Sequence, residues 1–464
     1  MDFDLIIIGS GPGGYVAGIR ASQLKMRVAI VERAEPGGVC LNWGCIPTKS
    51  LLKSAQVLEY INHASDYGIV TGGEVKADFA AVIARSRSVA EGMSKGVRFL
   101  FKKNNIVLIE GSGRLSGQNS VEVEDREGNR KNYSAGNIIL ATGARSKELP
   151  GLKQDGKKII GYREAMTLAK LPASMVIVGS GAIGCEFADF YRTLGTEVTL
   201  VEFLPRIVPN EDEEVSKQLE RSFKKRKIKI LTGSSVESAD TSGENCMVTI
   251  RTQGGDQEVV EAEIVLSAAG VLPNTEGLGL EEQGIEMEKG KVVVDEYYRT
   301  TIPGICAIGD IVHGPALAHV ASAEGIICVE KMAGLDPDPL DYKNVPACTY
   351  TNPEIASCGL TESAAREAGY EIKVGKFPFT ASGKANSAGA RDGFVKLVFD
   401  SAYGELLGAH MIGSNVTEMI AEIVVARKLE TTAHEIIKSI HPHPTMSEAI
   451  MEAAAAAYDE VIHL

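Results

Sequence analysis

Apolar positions along the chain fall into two repeats of one pattern. The run "DLIIIG" at Asp4–Gly9 is apolar almost throughout, as a strand buried on both faces of a parallel sheet must be. It leads into "GSGPGG", an alanine-rich helical stretch, and a second apolar run, "RVAIVE", at Arg27–Glu32. The same order returns as "MVIVGSGAIG" at Met175–Gly184 and "TEVTLVE" at Thr196–Glu202. Each repeat predicts a strand, a helix and a parallel strand. Between them, an amphipathic stretch at Ala77–Lys103 predicts a long helix, and "VEVED" and "GNIILATG" predict short strands. Pro and Gly in "ELPGLKQDG" (Glu148–Gly156) predict a boundary before the second repeat, which closes near "AAGVLPNTEG". Next comes "TTIPGICAIGD", a strand ending at Gly309 and Asp310, and then "GPALAHVASAEG", which opens a helix.

From Pro346 the texture changes. "GFVKLVFD" and "ELLGAHMIG" alternate as antiparallel strands do. Helices are predicted at Val416–Leu429 and Met446–Tyr458. The last contains "AAAAAY", whose small side chains permit close helix approach, although high helix propensity alone accounts for such a run. The expected fold class is α/β: two Rossmann-like dinucleotide-binding domains followed by a C-terminal α+β domain.

Composition narrows the function classes. The chain has 464 residues, 44% hydrophobic and 23% charged, as ordinary globular proteins do. Its net charge of −13 argues against nucleic acid, whose phosphates demand clustered Lys and Arg. The one basic run, "FKKRKIK" at Phe223–Lys229, reads as a solvated helix end leading into a strand. No apolar run reaches the length of a membrane span, and no signal-peptide pattern follows Met1. Eight cysteines are too few for a secreted disulfide scaffold, so a reducing compartment is expected, where a disulfide serves catalysis. That compartment is the cytoplasm, or the mitochondrial matrix or a plastid if a transit peptide was removed.

The glycines explain the repeats. Gly9 makes a tight turn, Gly11 lets backbone approach a pyrophosphate, and Gly14 lets helix and strand pack closely; Gly179, Gly181 and Gly184 repeat this. Glu32 and Glu202 each lie 23 residues after the first glycine, placed to accept hydrogen bonds from a ribose. One such loop is weak evidence. Two, each after a strand and each followed by an acid, predict two dinucleotides in one chain.

"GGVCLNWGCIPTKS" at Gly37–Ser50 holds Cys40 and Cys45 on either side of Trp43, the only tryptophan. The pair reads as a redox dithiol, half a metal site, or two buried thiols. In a regular helix, residues five apart have Cα atoms about 8.5 Å apart. A disulfide needs roughly 4.4–6.8 Å. A bridge therefore requires distorted backbone, and Gly37, Gly38 and Gly44 supply the freedom, with Pro47 suited to a first helical turn. Lys49 follows Cys45 by one turn and shares its helical face. No other Cys or His lies nearby at metal-ligand spacing, so no metal is expected. Dithiol chemistry needs a base. His443 in "HPHPTMSEA" is the candidate, with Glu448 five residues on to orient it. His441 alternates with His443, so an HxH metal pair is the rival.

Together these segments resemble the FAD- and NAD(P)-dependent disulfide reductases over essentially the whole chain. The resemblance rests on "GSGPGG", "GGVCLNWGCIPTKSLL", "ATGAR", "GSGAIGCEF", "AIGD", "GPALAHVA", "YTNPEIASCGLTE" and "HPHPTMSEA", and is nearest to the members that oxidise dihydrolipoamide. It implies an FAD-binding domain from residues 1–148 and 271–345, an NAD-binding domain at 149–270, and a dimerisation domain at 346–464. Cys40 would exchange with substrate and Cys45 would face the flavin. Glu32, Gly113, Thr142, Gly143, Asp310, Ala318 and His319 would contact FAD, beside a Lys49–Glu186 pair. Glu202, Val236 and Gly270 would join the second glycine loop in holding NAD. His443 and Glu448 would act on the disulfide of the second subunit of a homodimer. The implied partners are lipoyl domains and the acyltransferase core of 2-oxo acid dehydrogenase complexes, or the H-protein of glycine cleavage. Glu202 favours NAD over NADP, since a carboxylate repels a 2′-phosphate. The chain departs from the family at Trp43, where a small aliphatic residue is usual, and at Val271, where Arg is frequent. A glutathione-type or mercuric-type reductase, a flavin-binding scaffold and a metal-handling protein are the alternatives.

Overall fold

In the computed structural model, residues 1–73 and 75–464 are described, and they form two compact units. The first comprises Met1–Leu51, Ala80–Lys147 and Val271–Leu340. Its opening elements are strand β1 (Phe3–Ile8), helix α1 (Pro12–Gln23), strand β2 (Val28–Glu32), the short helix α2 (Gly38–Trp43), helix α3 (Cys45–Asn62, continuing into the second unit) and helix α4 (Phe79–Lys103). Strands β3 (Val107–Glu110), β4 (Ser112–Gly117), β5 (Ser120–Glu124) and β6 (Arg130–Leu140) follow. They make one sheet in the order β3-β2-β1-β6-β5-β4, and a strand at Ile305–Ala307 also pairs with β6.

The sheet changes character inside β6. Ala135–Leu140 run parallel to β1, whereas Arg130–Ser134 pair antiparallel with β5. The parallel half is covered on both faces, and Leu5, Ile6 and Ile7 of β1 are wholly buried. Burying such a side chain stabilises the fold by roughly 1.5–3 kcal/mol. The predicted helix at Ala77–Lys103 is α4, beginning two residues later.

The second unit comprises Leu52–Phe79, Glu148–Gly270 and Asp341–Leu464. It holds a parallel sheet of Lys229–Leu231, Glu197–Val201, Ser174–Val178, Ile264–Ser267 and Ile159–Ile160, in that order. The basic run at 223–229 bridges a helix ending at Lys225 and the strand from Lys229, as the sequence suggests. The C-terminal part is a five-stranded antiparallel sheet in the order Ala347–Thr349, Glu354–Gly359, Leu406–Gly413, Phe394–Asp400, Ile372–Pro378. Helices Val416–Lys428 and Glu448–Ala456 lie within the predicted bounds.

Two features of that sheet go beyond the sequence pattern. Strands Phe394–Asp400 and Leu406–Gly413 alternate in sequence yet are buried at every position. Their polar residues face a covered surface: Lys396, 2% exposed, pairs with Asp212, Glu214 and Glu362 at 3.1, 2.9 and 2.8 Å. The final helix also approaches the sheet backbone directly. A Cβ added at Gly375 would lie 1.8 Å from the Ala453 carbonyl oxygen, so the alanine run does serve close approach.

Candidate active site

Two glycine-loop cradles are built from the same parts. In the first, Gly9 has φ +106, and an added Cβ would lie 2.3 Å from the Ala141 carbonyl oxygen. A Cβ on Gly14 would lie 2.0 Å from the Gly9 carbonyl oxygen. Gly11, the N-cap of α1, has nothing within 4 Å of an added Cβ, and no side chain caps the helix. The amides of the first turn are therefore presented to open space, as a pyrophosphate needs. Glu32 is held by Ser10: its Oε2 accepts the Ser10 amide at 2.9 Å and hydroxyl at 2.6 Å, while Oε1 accepts the Ala34 amide at 2.9 Å. Each carboxylate oxygen has two acceptor sites, so Oε1 retains one for a ribose hydroxyl.

The second cradle repeats this. Gly179 has φ +100, a Cβ on Gly184 would lie 1.9 Å from the Gly179 carbonyl oxygen, and Gly181 faces open space. Glu202 Oε2 accepts the Ser180 amide at 2.8 Å and hydroxyl at 2.7 Å, and Oε1 accepts the Leu204 amide at 2.8 Å. Both cradles fit a dinucleotide on these grounds.

The cysteine segment leaves the first cradle directly. The Gly37 amide bonds the Ser10 carbonyl at 3.0 Å, and Gly38, at φ +60, packs against Gly11. Cys40 lies in α2, and Gly44, at φ −145 and ψ −113, breaks the helix before Cys45 starts α3. This is the distortion that the five-residue spacing demands. Both cysteines are half-buried, and no disulfide joins them. The Cys40 thiol is in hydrogen-bond contact with Cys45; that bond, burial and the Cys45 charge push its pKa up, while Lys49 and a Cys45 backbone bond pull it down. Three consecutive residues of α4 grip the segment. Arg87 donates to the Asn42 carbonyl at 2.6 Å, Ser86 to the Pro47 carbonyl at 2.9 Å, and Arg85 to the Ser50 carbonyl at 2.9 Å.

In the second unit, His443 Nδ1 lies 2.8 Å from Glu448 Oε1, and Glu448 Oε2 accepts the Thr445 amide at 2.8 Å. Burial raises the Glu448 pKa, but the Thr445 amide and His443 outweigh it and hold the group below its ordinary value. His443 is exposed and lies within a turn closed by Thr445 Oγ1 on the Pro442 carbonyl. His441 points elsewhere: its Nε2 lies 2.8 Å from Glu422, whose bond raises the imidazole pKa. The two histidines thus serve different carboxylates. Among the described residues, no group of three His, Cys, Asp or Glu is placed to hold a metal.

The other expected residues are placed as follows. Gly113 packs against Val31, and a Cβ there would lie 3.0 Å from it. Thr142 Oγ1 donates to the Asn274 carbonyl at 2.6 Å, and Gly143, at φ +68, accepts the Asn274 amide at 2.8 Å. Asp310 sits in a short 3-10 turn beside Gly309, whose amide bonds buried Glu324 at 2.6 Å; burial raises the Asp310 pKa and Lys291 opposes it. Ala318 and His319 open the helix Ala318–Met332, which has no side-chain cap. Glu186, 4% exposed, accepts the Tyr350 amide at 3.0 Å. Val236 packs partly into the core of its unit, and Gly270 has φ +106.

Sequence reasoning missed Ser10 and Ser180, although both follow the first glycine of a "GSG" and the repetition was a usable signal. It also missed the α4 grip and the His441–Glu422 pair, which join residues far apart in sequence.

Comparison with known proteins gives one consistent result. Residues 3–325 match the model of the pyridine nucleotide-disulphide oxidoreductases, and residues 345–454 match the dimerisation domain of the same group. The chain is 48% identical to the dihydrolipoyl dehydrogenase of Zymomonas mobilis, covering 99% of both chains, and 45% identical to that of Mycobacterium leprae, covering 97% of both. Among solved structures, LpdA of Mycobacterium tuberculosis is similar at TM-score 0.91 and 28% identity, covering 97% of this chain and 98% of that one. A Cu(II) complex of the HOCl-induced flavoprotein disulfide reductase RclA of Escherichia coli is similar at TM-score 0.88 and 25% identity, covering 98% and 99%.

Proposed function

The chain belongs to the pyridine nucleotide-disulphide oxidoreductase family, and from that premise we propose how its residues divide the work. The activity is oxidation of a dihydrolipoyl group coupled to reduction of NAD⁺, with FAD and NAD as cofactors. The observation that carries the residue assignment is a thiol pair on the segment leaving one of two matching cradles. The Gly9–Glu32 cradle, with Gly113, Thr142, Gly143, Asp310, Ala318 and His319, takes FAD. The Gly179–Glu202 cradle, with Val236 and Gly270, takes NAD.

His443 is the base. Glu448 holds Nδ1, which leaves Nε2 to take the proton of a substrate thiol. The resulting thiolate attacks the sulfur of Cys40 in the oxidised pair; the Cys40–Cys45 bond breaks, and Cys45 leaves as a thiolate that Lys49 stabilises. The second substrate thiol displaces Cys40, closing the lipoyl disulfide. The substrate has then lost two electrons and two protons: the cysteine pair has gained the electrons, Cys40 leaves as a thiol carrying one proton, and His443 holds the other. When bound, FAD supplies the two-electron relay from the thiols to the nicotinamide. Lys49 and Glu186 are both assigned to the flavin side.

The dimerisation-domain match supports a homodimer. In it, His443 and Glu448 of one subunit serve the thiols of the other. The dihydrolipoyl group arrives on a lipoyl domain of a 2-oxo acid dehydrogenase complex, bound near its acyltransferase core, or on an H-protein. No helix among the described residues is long and apolar enough to cross a membrane, and the bacterial relatives favour the cytoplasm as the compartment. One pair of assays tests the reading: NAD⁺ reduction by dihydrolipoamide, and NADPH oxidation by glutathione disulfide. The first alone is expected, and Cys45→Ser should lower it at least about a thousandfold. Activity only in the second assay would overturn the substrate. A Cys45→Ser protein that still oxidises dihydrolipoamide at the wild-type rate would overturn the thiol assignment.

A further inference from the structure

We propose that Arg87 and Trp43 form a positioning device that holds the break between α2 and α3 and so sets the thiol–disulfide equilibrium of Cys40 and Cys45. The inference rests on the redox role given to that pair. A disulfide between residues five apart cannot form across a regular helix, because about 8.5 Å between Cα atoms exceeds the reach of the bond. The interruption at Gly44 brings the sulfurs together, and an interruption has a cost: carbonyls at the end of α2 lose their regular helical donors. In a continuous helix the Asn42 carbonyl takes the amide of Ile46. Here it takes Arg87 Nη1 at 2.6 Å, a charged donor at a helix C-terminus, where positive charge is favoured.

The same guanidinium lies over the indole of Trp43, 4.0 Å from the ring centroid. The indole is fixed in turn by its Nε1–H, which donates to Glu35 Oε2 at 3.3 Å. Burial lowers the Arg87 pKa and the Glu35 charge opposes that effect, so the cation is desolvated yet balanced by a carboxylate. Asn42 closes the arrangement from inside, donating to the Pro36 and Gly38 carbonyls at 3.0 Å each. One residue, Arg87, therefore satisfies the broken helix end and locks the last side chain before the break. Without it, α2 and α3 relax toward one continuous helix, and the sulfurs separate.

The test equilibrates the FAD-loaded protein with mixtures of reduced and oxidised dithiothreitol. In each exchange the reagent's disulfide takes two electrons and two protons from Cys40 and Cys45. Acid quenching, alkylation and mass measurement then count the free thiols. Arg87→Leu and Trp43→Val should each shift the equilibrium toward the dithiol about tenfold, equivalent to about 30 mV. Arg87→Lys should recover part of the shift, and Trp43→Phe most of it. Emission of Trp43 should respond to dithiothreitol in the wild type and lose that response in Arg87→Leu. A purely structural role predicts lower thermal stability with an unchanged equilibrium. An equilibrium within twofold of wild type in Trp43→Val and in whichever Arg87 variant folds would overturn the proposal. Failure of the wild type to oxidise dihydrolipoamide would sink the functional reading instead, because the thiol equilibrium is read without turnover.

Discussion

Ser10 and Ser180 do the same work in two different places. Each offers its amide and its hydroxyl to a buried glutamate at the end of the next strand, with distances agreeing to 0.1 Å (2.9 and 2.6 Å for Glu32, 2.8 and 2.7 Å for Glu202). Each also has its carbonyl capped by a returning amide, from Gly37 in the first cradle and Val208 in the second, both at 3.0 Å. The difference lies in that return. Gly37 takes φ +100 freely, whereas Val208 is held at φ +39, an uncommon state for a β-branched side chain. From Gly37 the chain enters the cysteine helix. From Val208 it enters a turn with buried Glu211 and Asp212, the N-cap of the next helix. On the proposed assignment the cradle is a reusable nucleotide holder, and the segment after its acid decides what chemistry stands beside the nucleotide.

The comparison can be broken most forcefully at its glycines. Gly14→Ala and Gly184→Ala place a methyl about equally close to a backbone oxygen, 2.0 and 1.9 Å, so each should cost roughly 1–3 kcal/mol. Gly14→Ala is expected to lose bound flavin about tenfold more readily, as read from the visible spectrum of the purified protein. Gly184→Ala should keep its flavin and raise the KM for NADH by a similar factor. Equal loss of flavin from both would mean that the two cradles are not divided between the cofactors as assigned.

A smaller effect is expected at the acids. Glu202→Gln keeps the size of the side chain and removes the charge that, in the proposed NAD site, would repel a 2′-phosphate. The ratio of kcat/KM for NADPH to that for NADH should rise several-fold, up to about tenfold. Glu32→Gln should leave that ratio unchanged; a change there would blur the distinction between the cradles.

A pH-dependent effect on stability concerns the return segment of the second cradle. Burial pushes the Glu211 carboxyl up to about 7, with Asp212 adding to it and the Ser357 bond opposing it. The folded chain therefore holds this proton more tightly than the unfolded chain, whose carboxyl titrates near 4.5. The burial carries no penalty below pH 4.5, and stability is lost as pH rises from there through about 7. Glu211→Gln should raise unfolding stability by about 2–3 kcal/mol above pH 7 and change little near pH 4.5. Denaturant titrations at the two pH values read the difference. A gain that is the same at both would exclude titration of Glu211 as its source.

What the sequence reveals here is local. The glycine loops, the acids at matching distance, the helix break implied by the cysteine spacing and the reach of Glu448 to His443 all follow from residues within one or two elements. What stays hidden is long-range. Nothing in "ARSRS" shows that Arg85, Ser86 and Arg87 hold three backbone points in the cysteine segment, because those bonds join residues 35, 39 and 45 positions apart. Lys396 and His410 read as the wet positions of alternating strands. They are buried because acidic residues from distant parts of the chain cover that face: Asp212 and Glu214 at the start of the helix Glu213–Lys225, and Glu362. Periodicity marks which face a residue takes, not whether another segment will close over it.

The contact between Gly375 and Ala453 makes the last helix a lever with its fulcrum on the sheet. Glu448, in its first turn, stands five residues from that fulcrum, about 7.5 Å along the axis. Any side chain at Gly375 must lift the rod, and the tip bearing the carboxylate moves with it. Glu448 fixes His443 through a 2.8 Å bond, so a methyl group added to a strand remote in sequence from both residues would be felt first as a misaimed imidazole.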